Sequence, residues 1–264
     1  MRSMDDRRTE FEGMAKRQTI GELLITRERP GKAFQCCNSM AETMRTNQAA
    51  LYMGVDDDDP RRPEYVELAR SFPFVKLVNI PACQSFPGLS WLWNQVAEEA
   101  HRDGCDILHL LGDDIRFVTP GWDEIVLREF SLAEPDGFLL LFGPDGNHEG
   151  DRMETATHIW INASYMDAVG EYAVGGFMVD AVDTWQYEIY RALGRTRYNA
   201  DLRLDHLQWR RGRCEPDHVT TDRMQWIERK KEVRRMWAER AAERKADVKK
   251  VVRYIERMRH ENQS

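Results

Sequence analysis

The sequence predicts an α/β protein: a mostly parallel sheet flanked by helices, followed by a basic helical tail. Three observations lead there. Short apolar runs of strand length alternate with stretches of helix length over the first 115 residues, the pattern of successive β-α-β units. Two of those runs end in aspartate clusters, and in a parallel sheet such strand ends lie at one edge, where ligands collect. The charge is also uneven. Arg223 to Ser264 holds 14 Lys or Arg against 7 Asp or Glu, a balance of +7, so the preceding 222 residues carry −14 of the total −7.

Taken in order, residues 1–18 are polar and expected to be loosely attached. Residues 21–26 (Gly-Glu-Leu-Leu-Ile-Thr) read as a first strand, Arg27 to Gly31 as a loop and 32–46 as a helix. Residues 49–55 form a second strand that runs into Asp56-Asp57-Asp58-Asp59-Pro60, and 75–80 a third. Ser90 to His101 reads as a helix with Leu92, Val96 and Ala100 on one face, stopped by Asp103-Gly104. Residues 107–111 make a fourth strand ending in Gly112-Asp113-Asp114. Beyond it the pattern is less regular. It predicts a helix over 123–130, a strand over 138–142, a polar loop over 143–155 with the composition of a mobile lid, and a strand over 157–161. A helix over 183–193, capped by Asp183 and stopped by Gly194, precedes a last strand over 198–204. From Met224 onward helix propensity is strong, with Val233, Trp237, Ala241, Val248, Val252 and Ile255 as an apolar stripe. The expected division is a catalytic-size domain over 1–222 and a basic helical tail over 223–264.

Composition excludes several classes. With 42% hydrophobic residues the chain can bury a core, so global disorder is not expected. No apolar run approaches the roughly 18–20 residues of a membrane span, and the charged first residues lack a signal peptide's apolar segment. Five cysteines with no Cys-x-x-Cys argue against a zinc framework or disulfides and for reduced thiols in a cytoplasmic protein.

The chemistry concentrates at Asp113-Asp114. A buried apolar strand that runs into two carboxylates needs something to neutralise them, because an unpaired buried charge is costly. A hard divalent cation is one solution and could in turn hold a phosphate; an ordinary turn is the other.

The order of motifs resembles the GT-A glycosyltransferases, specifically the family-two-like group. The resemblance rests on Thr26-Arg27-Glu28-Arg29-Pro30 after the first strand, the acidic cluster after the second and Asn94 in a helix. It continues with Gly112-Asp113-Asp114, a helix opened by Asp183 11 positions before Gly194, and Tyr198-Asn199-Ala200-Asp201 running on to His206. It spans roughly residues 20 to 222. Two departures stand out: Gly112 occupies the first place of the usual Asp-x-Asp, and Val182 precedes Asp183 where Glu is common. Asp180 is therefore an alternative base. The signature of processive members, Gln-x-x-Arg-Trp, is absent.

The resemblance implies a metal-dependent, inverting hexosyl- or pentosyltransferase that uses a nucleoside diphosphate sugar, UDP-linked by preference. Asp114 and His206 would ligate Mn²⁺ or Mg²⁺. Thr26, Arg29, Asp56, Asp58, Asn94 and Asp113 would bind the nucleotide sugar, and Asp183 would be the general base. Compact soluble proteins of this type include enzymes that glycosylate hydroxylated bases in viral DNA. Together with the basic aromatic segment Trp209-Arg210-Arg211-Gly212-Arg213 and the tail with Trp226, Trp237 and Tyr254, this makes a nucleic-acid acceptor an expectation. The alternatives are a saccharide- or protein-directed transferase, an inactive nucleotide-sugar binding module, and a nucleotidyltransferase. The last would need a Gly-rich phosphate loop that Arg27-Glu28-Arg29-Pro30 does not provide.

Overall fold

The computed structural model describes residues 18–82, 88–133, 136–146, 156–176, 181–207, 212–215, 217 and 230–261. The expected alternation is present. β1 (Ile20–Thr26), α1 (Pro30–Thr43), β2 (Ala49–Asp56), α2 (Arg62–Ser71), β3 (Val75–Ile80), α3 (Leu89–Arg102) and β4 (Ile107–Leu111) follow one another. Next come β5 (Ile115–Phe117), α4 (Trp122–Ser131), β6 (Leu140–Phe142), β7 (Trp160–Asn162), α5 (Ser164–Val169), α6 (Val182–Ala192), β8 (Thr196–Tyr198) and β9 (Leu204–His206). The chain closes with α7 (Lys230–Glu239) and α8 (Ala241–Glu261).

Seven strands form one sheet in the order β3-β2-β1-β4-β7-β6-β8, and β5 pairs with β9 in a two-stranded ribbon. β1 to β4 are mutually parallel, β7 runs against both β4 and β6, and β8 is parallel to β6. Helices cover both faces, so alternate residues of one strand enter different cores: Leu23 and Leu108 join one cluster, Leu24 and Ile107 the other. Burial on both faces is why the central strands β1 and β4 read as nearly continuous apolar runs, whereas the edge strand β3 carries exposed Lys76 and Asn79. The strand order reverses between β1 and β4, which makes the gap beyond their carboxyl ends the topological switch point. Thr26 and Asp113 stand there.

Several expectations need correcting. Residues 62–71, not expected as helix, form α2, and its only buried side chains are Tyr65 and Leu68, too few to show a period. The strand expected over 198–204 is two strands, β8 and β9, joined by a turn in which Asn199 Oδ1 accepts from the Asp201 N–H at 2.9 Å. The strand over 157–161 begins only at Trp160, because His158 adopts φ 51°. Asp183 is not the cap of α6: Ala181 holds the cap position at φ 84°, and Asp183 lies in the first turn. In the tail, the helix is interrupted at Arg240 between α7 and α8, and Val252 is exposed while Val251 is fully buried; the side chain of Val233 lies outside the described residues. The stripe from Val248 to Ile255 therefore passes through Val251.

α8 packs on α5 and α6. Val251 and Ile255 enter the core, and buried Asp247 accepts a 3.2 Å hydrogen bond from Trp185 Nε1 of α6. No helix among the described residues is long and apolar enough to cross a membrane. Cys36, Cys37, Cys105 and Cys214 are free thiols.

Candidate active site at the switch point

β1 and β4 deliver the centre of the site. Asp113 is buried, and its carboxylate accepts from Thr26 Oγ1 at 3.0 Å and from Arg29 Nη1 at 3.2 Å. Burial pushes the Asp113 carboxyl above its usual range, with Arg29 and the Thr26 hydroxyl opposing the shift. Tyr65 of α2 supports the cluster: its hydroxyl lies 3.2 Å from Thr26 Oγ1 and accepts the Arg29 backbone N–H at 2.8 Å. Arg29 also reaches Asp217 at 2.6 Å, and Lys32 lies 3.0 Å from the same carboxylate. A carboxylate from the C-terminal side of the chain is thus set on two cations at the start of α1.

The next residue looks elsewhere. Antiparallel pairing of Ile115 with His206 brings β9 beside the turn after β4, and the Leu207 N–H donates to the Asp114 carbonyl at 2.8 Å. His206 Nε2 then lies 3.3 Å from Asp114 Oδ2. On its other nitrogen, His206 Nδ1 lies 3.1 Å from His158 Nε2 and 3.8 Å from Asp145 Oδ2. The two imidazoles stand edge to face at 90°. Asp145 is placed by the segment after β6: Leu204 donates to the Pro144 carbonyl at 2.9 Å and His206 to the Asp145 carbonyl at 2.8 Å. Gly143 permits that approach, because a Cβ there would meet the Leu202 carbonyl oxygen at 1.9 Å. Thr157 Oγ1 donates to Asp145 Oδ2 at 2.8 Å and holds its orientation.

The two histidines diverge in basicity. Burial, reinforced by His206 nearby, lowers His158 to about 3. Burial also opposes charge on His206, but Asp114 and Asp145 outweigh it and raise it to about 9. His158 is consequently a neutral imidazole with lone-pair capacity, and ligand atoms of Asp145, His158 and His206 lie within 4.8 Å of one another.

The remaining expected residues fall into two groups. Asp56 Oδ2 and Asp58 Oδ1, at the end of β2, share Arg27 at 2.8 and 2.7 Å, one residue from Thr26. Their neighbour Asp59, by contrast, accepts from the backbone of Glu28 and Arg61 and serves the turn into α2. Asn94 of α3 is engaged with the backbone of Ala173, accepting its N–H at 2.7 Å and donating to its carbonyl at 2.8 Å. Gln186 of α6 donates to the carbonyl of Tyr172 at 2.6 Å, so α3 and α6 hold the same segment. Asp183 accepts from its neighbour's Thr184 N–H at 2.7 Å. Asp180, most of the expected lid, Trp209 to Arg211 and Trp226 lie outside the described residues.

Asp145, His158, Tyr65 and Asp217 were not singled out by sequence. Asp145 and His158 sit in irregular chain, and only their donor chemistry, with Thr157 and Gly143 beside them, hinted at a role.

No family model matches the sequence, and no curated protein matches it. Solved structures do share its fold. Residues 1–349 of Staphylococcus aureus TarS in complex with UDP superpose with TM-score 0.53 at 11% identity, covering 70% of this chain and 58% of that one. The same protein in complex with UDP-GlcNAc gives TM-score 0.53 at 12% identity, covering 70% and 56%. The mannosyltransferase PcManGT from Pyrobaculum calidifontis, in complex with GDP-Man and Mn²⁺, gives TM-score 0.54 at 11% identity, covering 74% and 59%. The chain spans less than two thirds of each of these. What it shares with them is a mixed α/β fold with a mostly parallel seven-stranded sheet flanked by helices, and this supports the GT-A-like fold that the motif order implies.

Proposed function

We propose that this chain is an inverting glycosyltransferase that moves a hexose or pentose from a nucleoside diphosphate sugar, UDP-linked by preference, to an acceptor hydroxyl. The observation that carries the reading is the divided carboxylate pair at the switch point: Asp113 held by Thr26 and Arg29, Asp114 turned to His206. That TarS is known in complex with UDP and UDP-GlcNAc, and PcManGT with GDP-Man and Mn²⁺, on the same fold supports it.

In this reading Asp113, an acceptor held rigid by two donors, takes a ribose hydroxyl, and Thr26 and Arg29 line the nucleotide cleft beside it. Asp56 and Asp58 offer oxygens for the base N–H, with Arg27 orienting them. Asn94 fixes the 171–176 segment that leads toward α6. Asp183 accepts the proton of the acceptor hydroxyl as that oxygen bonds to the anomeric carbon from the face opposite the leaving diphosphate. Asp180 is the alternative for that role.

The cluster of Asp145, His158 and His206, with Asp114 3.3 Å from the other ring nitrogen of His206, fits a divalent cation, Mn²⁺ or Mg²⁺, because it brings oxygen and nitrogen donors together. When bound, the ion supplies positive charge for the departing diphosphate. A hydroxylated base in nucleic acid is one candidate acceptor, beside a saccharide or a protein. The support is the outer side of α8, where Lys245, Lys249, Arg253 and Arg257 are exposed at four-residue spacing.

The test is a donor screen: purified protein with UDP-, GDP- and dTDP-sugars and Mn²⁺, with release of free nucleotide as the readout. Release from one nucleotide class is expected. No release from any donor, with or without hydroxymethylated DNA, would return the chain to a binding module.

A further inference from the structure

His206 presents two different surroundings to its two ring nitrogens, and one imidazole cannot bring both to a single ion. Nε2 faces Asp114, 3.3 Å away. Nδ1 faces His158 Nε2 at 3.1 Å and Asp145 Oδ2 at 3.8 Å. We propose that the cation binds on the Nδ1 side, held by His206, His158 and Asp145, and that Asp114 acts on it through His206 as a positioning residue. The inference deepens the glycosyltransferase reading and changes which residues ligate.

Three observations carry it. The first is separation. Imidazole nitrogens bound to one transition ion at about 2.0–2.1 Å stand about 3.0–3.4 Å apart, and the pair here is 3.1 Å apart. The third ligand atom, from Asp145, lies within 4.8 Å of both histidine atoms, and Asp145 Oδ2 stands 3.8 Å from His206 Nδ1. The second is burial. Asp145 and His158 are buried at 2% and 7% exposure. The other nitrogen of His158, Nδ1, is buried and has no hydrogen-bond partner among the described residues. The third is the support around the ligands. Thr157 Oγ1 binds Asp145 Oδ2, the Asp145 carbonyl accepts the His206 N–H, and Asp114 stands on the far nitrogen of His206. A carboxylate on the non-ligating nitrogen of a ligating histidine is the usual orienting arrangement around protein-bound metals.

Two imidazoles and one carboxylate also predict which ion enters. Magnesium prefers an octahedron of hard oxygens, whereas imidazole donors favour first-row transition ions, with affinity rising from Mn²⁺ to Co²⁺. The site is therefore selective for transition ions over Mg²⁺.

The experiment is pulsed electron paramagnetic resonance of the Mn²⁺ complex of the full chain carrying ¹⁵N-histidine, with and without UDP, alongside calorimetric titration with Mn²⁺, Co²⁺ and Mg²⁺. Two directly coordinated histidine nitrogens are expected in the unaltered protein. Asp114→Asn keeps both couplings and weakens Mn²⁺ by about 10–100-fold, the usual effect of removing an orienting partner. His158→Gln, and His158→Ala where it folds, lose one coupling. Co²⁺ binds more tightly than Mn²⁺, and Mg²⁺ at least tenfold more weakly. A single nitrogen in the unaltered protein, loss of a coupling in Asp114→Asn but not in His158→Gln, equal affinity for Mg²⁺ and Mn²⁺, or no Mn²⁺ bound in either condition would each overturn the proposal. Two nitrogens in a protein that releases nucleotide from no donor would count against the transferase reading alone and leave the ligand set standing.

Discussion

Asp113 and Asp114 are neighbours in sequence but enter different networks, the first facing Thr26 and Arg29 and the second His206. Substituting them should therefore have different consequences. Asp114→Ala is expected to lower transfer at limiting Mn²⁺, and less at saturating Mn²⁺, while the circular dichroism spectrum is retained, because Asp114 is only partly buried and its loss leaves the core untouched; excess EDTA should abolish transfer by the unaltered protein, and full turnover in EDTA would remove the metal from the mechanism. Asp183→Asn should leave donor binding nearly intact and lower turnover by roughly 10²–10⁴, the worth of a general base. An active Asp183→Asn beside an inactive Asp180→Asn would move the base three positions upstream. Asp113 and Asp114 drew attention in the sequence because they end a buried apolar run, whereas Thr26, Arg29 and His206 were expected only through the family resemblance, His206 by its offset from Tyr198. Asp145 and His158 were not, because irregular chain has no period to flag them. What places them is pairing with β9 and a glycine at 143, both properties of the folded chain.

At the scale of elements, the central strands carry a polar row inside the core. Glu22 on β1, His109 on β4 and Trp160 on β7 are register partners, all fully buried. Glu22 takes His109 Nδ1 on one oxygen and Trp160 Nε1, at 3.1 Å, on the other, and the imidazole stacks on the indole at 3.7 Å. One carboxylate thus satisfies groups on two other strands, and the row lies on the same face of β1 and β4 as Thr26 and Asp113, four residues further along each strand. Glu22→Ala leaves two buried nitrogens without an acceptor and should cost about 2–5 kcal/mol in urea unfolding, with Glu22→Gln costing less. A loss below about 1 kcal/mol would mean that the row contributes packing only. A lone Glu and a lone His inside apolar runs did not obscure β1 or β4 in the sequence, because the surrounding Leu and Ile residues dominate. The elements that escaped notice are those with little to count. β5 and β9 are three residues each, and α5 is six. Each is held by tertiary pairing rather than by its own pattern.

For the whole molecule, the question is what an acidic body does with a basic C-terminal pair of helices. One side of α8 is committed to the fold through Val251, Ile255 and Asp247. Removing the tail would therefore expose core and mix folding with binding, and a chain ending near Asp222 is a poor reporter of acceptor contact. The outer side offers a cleaner test. Lys245, Lys249, Arg253 and Arg257 are exposed, and at 1.5 Å per residue their row extends about 18 Å along the helix, a span that covers several phosphates of a nucleic-acid backbone. Reversing all four to Glu touches no buried side chain, so the melting temperature should change little. If the row guides a polyanionic acceptor, the unaltered chain should bind duplex DNA at low salt with a steep dependence on salt concentration. The reversed variant should lose that binding, and the log–log salt slope attributable to four phosphate contacts is about 3–4. Fluorescence anisotropy of labelled duplex, titrated at several salt concentrations, measures both. Absence of binding by the unaltered chain at low salt, or equal weak binding by both, would assign the acceptor to the saccharides and leave the row a solvated helix face, because repulsion from a body carrying −14 would then outweigh four exposed cations.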